Sequence, residues 1–141
     1  MLIYLDNSVL NRPFDDQRQP RIWLETLSFS LVLTLIEAGE AKLIRSPIHD
    51  LENGRNPFPL RRRWIEKCLR LAEASVALND PTKSRALALE QAGVRALDAL
   101  HLACAEAAGA ERFLTCDDRL IRRYSGEMIV QSPATFTTSL T

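Results

Sequence analysis

The sequence predicts an α/β protein: a three-layer sandwich around a five-stranded, mainly parallel central sheet. Three observations carry that expectation. Short apolar runs alternate with longer stretches of helical periodicity. No convincing hairpin dipeptide joins neighbouring strands, so right-handed crossovers are expected. The first run, Leu2-Ile3-Tyr4-Leu5, is continuously apolar, as a strand covered on both faces must be.

The elements follow in order. Leu2–Leu5 is the first and central strand. Pro13 and Pro20 bracket a polar loop, after which Ile22, Trp23, Leu27, Leu31, Leu35 and Ile36 recur near helical spacing until Gly39. This helix is apolar over more than one face, so it is either deeply buried or half buried against a second copy of the chain, with a dimer contact the favoured expectation. Lys42–Arg45 is a second strand, and Ser46-Pro47 then supplies an N-cap and a first-turn proline for a short helix that carries Glu52. Gly54, Pro57 and Pro59 break the chain before a helix over Leu60–Ala74 with Trp64, Cys68 and Leu71 inward. Ser75–Leu78 is a third strand, Asp80-Pro81-Thr82 caps a helix to Gln91, and Gly93 separates it from a helix over Ala96–Ala108. Arg112–Cys116 is the fourth strand, Asp117–Tyr124 a helix, and Met128–Val130 the fifth strand before Ser132-Pro133.

The 141 residues, 46% of them hydrophobic, suit one domain spanning 1–141. Eighteen basic residues balance eighteen acidic ones, so no global charge attracts a polyanion and any such contact must be local. Cys68, Cys104 and Cys116 are too few and too scattered for a disulfide framework or a zinc ribbon, which predicts reduced, buried thiols. The chain reaches Asp6 after five residues, without a signal-like apolar segment, and Thr26–Ile36 is about half a membrane span. These features predict a soluble, cytoplasmic protein with no membrane partner.

Asp6, Glu52, Asp98 and Asp117 each stand where an apolar run stops or a helix begins. Strands placed side by side would bring Asp6 and Asp117 to the carboxyl edge of the sheet, where α/β folds bind ligands. Each acid alone could be a helix cap. Asp98, however, lies inside the apolar run Val94–Ala103, where an unpaired carboxylate is costly and calls for a cation or donors. Clustered hard oxygens suit Mg²⁺ or Mn²⁺, and the chemistry that follows is phosphodiester hydrolysis. Ser8 and Thr115 are placed to orient a carboxylate or a water, and Asn7 is similarly placed. Asp118 has a lesser claim on a metal, Asp50 reads as solvated, and His101 reads as a packed, satisfied histidine or a partner of Asp98 or substrate. Arg61, Arg62 and Arg63, with Arg55, Lys67 and Arg70, form the strongest basic concentration, suited to RNA phosphates, an acidic partner or plain solvation.

Ile3–Leu10, Ser46–Glu52, Leu97–Ala103 and Phe113–Asp117 resemble, in order, the signature segments of PIN-domain proteins, and among these the single-domain VapC-type toxins. The resemblance implies a Rossmann-like α/β/α sandwich and a Mg²⁺- or Mn²⁺-dependent endoribonuclease held in check by a cognate antitoxin. It also implies that Asp6, Glu52, Asp98 and Asp117 hold the metal. Asn7 stands where Thr or Ser is commoner and Leu120 where an aromatic is frequent, but no acid is lost. Two other readings fit the residues: a catalytically silent module that binds RNA or protein, and a phosphotransfer enzyme with Asp6 as nucleophile.

Overall fold

The computed structural model describes residues 1–140. Five strands form one sheet: β1 (Leu2–Leu5), β2 (Lys42–Arg45), β3 (Ala74–Ser75), β4 (Arg112–Leu114) and β5 (Ile129–Gln131). Their order is β3-β2-β1-β4-β5 and every neighbouring pair is parallel. β1 is therefore central, as its unbroken apolar sequence requires. The chain winds outward from β1 through β2 to β3, then returns to place β4 on the other side of β1. That reversal between β1 and β4 is a topological switch point, the place where such sheets bind ligands.

The pleat of β1 divides the core in two. Ile3 and Leu5 face a cluster with Phe29, Val32, Leu43, Ile65, Leu69, Leu114 and Phe136. Tyr4 faces the other way, into Ile44, Ile48, Leu89, Leu102, Phe113 and Leu120. The first layer is built from α1 (Asn7–Asn11), α2 (Pro20–Glu37), α4 (Pro59–Leu69) and α8 (Pro133–Thr138). The second is built from α3 (Pro47–Gly54), α5 (Asp80–Gln91), α6 (Ala96–Ala107) and α7 (Asp118–Arg123). The α/β/α sandwich and its parallel sheet are as the sequence predicts.

Four local differences have physical reasons. α1 is one short turn whose first bond is made by the Val9 N–H to the Asp6 carbonyl, too short to show a period. Helix α4 ends at Leu69, because the chain must turn out to pair Ala74 and Ser75 with Ile44 and Arg45 at the sheet edge. Asn79, whose side chain accepts the Thr82 N–H, caps α5. Past β5, Ser132 caps α8, whose Phe136 closes the first core. Helix α2 splits its apolar residues: Phe29, Val32 and Ile36 are buried, whereas Trp23, Leu24, Leu27 and Leu31 are exposed along one stripe. Its core side also carries a carboxylate, Glu25, 2% exposed and held by the Arg12 guanidinium at 2.8 and 3.0 Å.

Candidate active site

Asp6 leaves the end of β1 with its backbone N–H bonded to the Leu114 carbonyl of β4 at 2.9 Å. The strand pairing thus fixes where its carboxylate stands. Hydroxyls of Ser8 and Thr115 each donate to Asp6 Oδ2 at 2.8 Å. These two are in turn fixed, since Ser8 Oγ accepts the Cys116 N–H and Thr115 Oγ1 accepts the Asp117 N–H, both at 3.1 Å. Asp6 is 4% exposed. Burial raises its pKa against the opposing pull of His101 and the two hydroxyls.

Glu52 projects from α3, whose start is pinned by a capping box in which His49 replaces the usual acid or amide: Ser46 Oγ accepts the Ile48 N–H, and His49 Nδ1 accepts the Ser46 N–H. Burial lowers the His49 pKa to about 3, so the ring stays neutral and donates from Nε2 to the Leu5 carbonyl at 2.7 Å. Glu52 Oε1 meets His101 Nε2 at 2.8 Å. Asp98 lies in the first turn of α6 and Asp117 caps α7, its Oδ1 accepting the Arg119 N–H at 2.9 Å. The Asp98 pKa is pushed up to about 6, first by burial, then by the nearby charges of Asp6 and Asp117.

All four acids line one open depression of about 430 Å³ together with Asn7, Ser8 and Arg95. None of the four pairs with an arginine or lysine among the described residues; the one basic partner is His101 on Glu52. The donor set suits a hard divalent ion. Carboxylate oxygens of Asp6 and Glu52 and a ring nitrogen of His101 lie within 4.8 Å of one another, and Asn7, on the lining of the same depression, has a buried Oδ1 with no hydrogen-bond partner among the described residues.

Other candidates separate. Asp118 faces away and is bound by both terminal nitrogens of Arg21 at 2.7 and 2.8 Å. Asp50 pairs with Arg45. His101 is fully buried and satisfied, but its acid is Glu52 rather than Asp98. The arginine triplet divides: Arg61 turns inward, donating to the Phe14 carbonyl at 3.0 Å and stacking on Phe58, while Arg62 and Arg63 are exposed. With Lys67 and Arg70 these two line a second depression of about 590 Å³ on α3 and α4. Arg95 escaped sequence reasoning. Its only signal was a cation three residues ahead of Asp98 at the start of a helix.

The PIN domain family model matches residues 3–126 of the chain. The chain belongs to the PIN domain family. This PIN domain is similar in structure to the crystal structure of FitAcB from Neisseria gonorrhoeae, at 17% identity and a TM-score of 0.57, covering 93% of this chain and 97% of that one. A likeness at that identity speaks to the fold. Among curated proteins, none matches the chain. No helix of the described PIN domain is long and apolar enough to cross a membrane.

Proposed function

We propose that this PIN domain is a Mg²⁺- or Mn²⁺-dependent endoribonuclease, the toxin of a toxin–antitoxin pair, with Asp6, Glu52, Asp98 and Asp117 as its metal-holding and catalytic acids. The observation that carries the reading is the convergence of four carboxylates, with no arginine or lysine pairing any of them, at the switch point of the sheet. A bound divalent ion supplies Lewis-acid stabilisation of phosphoryl charge and makes a water nucleophilic at neutral pH. The chain's own residues do the rest. Ser8 and Thr115 occupy Asp6 Oδ2 and so present Oδ1. Asp98, whose pKa burial and the charges of Asp6 and Asp117 push up, is the acid whose charge a bound cation would relieve most. Arg95, exposed on the lining and paired with no acid among the described residues, suits a phosphate next to the scissile one. Arg62, Arg63, Lys67 and Arg70 line a separate depression, alongside Asp50 and Glu66, that suits RNA phosphates or an acidic segment of the antitoxin.

The exposed stripe of Trp23, Leu24, Leu27 and Leu31 on α2 fits a homodimer contact, because a stripe of large apolar side chains on one helix face gains most by being covered. The test of the nuclease is direct. Asp6→Asn and Asp98→Asn should remain folded by circular dichroism yet lose Mn²⁺-dependent cleavage of a single-stranded RNA, at least 10²-fold in rate. Equal cleavage by both variants and wild type would leave only a binding role.

A further inference from the structure

Behind Glu52 runs a buried chain of polar groups that cleavage of a phosphodiester does not itself require. Glu52 Oε1 is bonded to His101 Nε2 at 2.8 Å. His101 Nδ1 meets the Tyr4 hydroxyl at 2.6 Å, and that hydroxyl meets Ser46 Oγ, also at 2.6 Å. Tyr4 and His101 are fully buried, and Ser46 is 2% exposed. Tyr4 stacks between Phe113 and His49 at ring-centroid distances of 5.2 and 4.5 Å, which holds its ring plane.

The direction of the chain at its functional end is fixed. A carboxylate accepts only, so His101 Nε2 must carry a proton to bond Glu52. If the imidazole is neutral, Nδ1 accepts from the tyrosine hydroxyl, which receives the Ser46 proton. If it is protonated, Nδ1 donates and the string reverses behind it. Nε2–H points to Glu52 in either case. The four members come from β1, α6, the α3 cap and α3 itself, so the string ties the short helix that bears Glu52 to the central strand.

We infer that His101 is a positioning residue, set by Tyr4 and Ser46, which occupies Glu52 Oε1 and leaves Oε2 as the oxygen presented to a divalent cation. This rests on the metal-site reading above. Groups that orient a ligand from behind change metal affinity by about 10–100-fold when removed. His101→Leu removes the donor, whereas His101→Gln can place an amide N–H where Nε2 stood. Titration of Mn²⁺ into metal-free protein by calorimetry should show affinity falling about tenfold or more in His101→Leu, intermediate in Tyr4→Phe, and recovered to near the wild-type value in His101→Gln. In a Glu52→Ala background, His101→Leu should cost no further affinity, since the histidine acts through that carboxylate.

Unchanged Mn²⁺ affinity in a His101→Leu variant that melts cooperatively would overturn the assignment. So would equal loss in Leu and Gln variants that both persists without Glu52, which marks His101 as a direct ligand. Absent RNA cleavage with this affinity pattern intact would instead count against the nuclease reading alone.

Discussion

Asp98 records the electrostatic tension of the site in a measurable way. Its pKa rises from 3.8 to about 6 in the folded protein, so between those values the folded state holds a proton the unfolded chain has released. Stability from this group is therefore full below about pH 4 and is lost as pH rises through 6. Asp6 shifts in the same direction. Metal-free wild type should lose stability relative to Asp98→Asn between pH 4 and 7 in parallel thermal melts, and a constant difference would contradict the shift. Asp6 and Asp117 were legible as candidates because each ends an apolar run, and Asp98 because it interrupts one, which are local patterns; Glu52, inside α3, rested on the resemblance of its segment alone. The partner of His101 was not legible. Its acid lies 49 residues earlier in the chain, and only the packing of α3 against α6 brings them together. Arg61 was misleading for a similar reason: the Phe14 ring and carbonyl, 47 residues away in the chain, hold it alongside the local ring of Phe58.

At the level of elements, Asp117 both caps α7 and lines the acidic depression. As the cap of α7 it accepts the Arg119 and Leu120 N–H groups, and asparagine caps about as well as aspartate. Asp117→Asn should thus keep stability near the wild-type value while losing Mn²⁺ affinity. Asp117→Ala should lose affinity and about 1 kcal/mol more in urea unfolding. Helix α2 gives a different prediction. Leu27→Glu, at an exposed position, should change monomer stability by no more than about 0.5 kcal/mol, yet convert a dimer to a monomer by sedimentation; an unaltered assembly would remove α2 from the interface. The long helices were readable because period and caps agreed. α1 and α8, 5 and 6 residues long, show no period, and the equally short α7 was read from the apolar run ending at Asp117 rather than from a period of its own. β3, expected over Ser75–Leu78, is Ala74–Ser75, because a two-residue edge strand is defined by its partner, not by its own sequence.

For the molecule as a whole, the sandwich was foreseeable since strands of apolar character alternated with helices, and only a parallel sheet covered on both sides accommodates them. The order of strands was not, apart from the central place of β1. One global measurement follows from a site of converging acids: Mn²⁺ at a hundred times its dissociation constant should stabilise the fold by about 2.7 kcal/mol, several degrees in melting temperature, and EDTA should reverse it. Proteins with Asp6 or Asp98 replaced by Asn should not respond. The strand order has a last consequence during synthesis. β1 is made first but sits in the middle, flanked by β4, and Asp6 and Asp117 are neighbours across that pair. At about 5–20 residues per second, the ribosome needs roughly 5–20 s to travel from one to the other. A nascent chain therefore carries scattered carboxylates until translation is nearly complete, and the depression they line takes shape only when β4 pairs with β1.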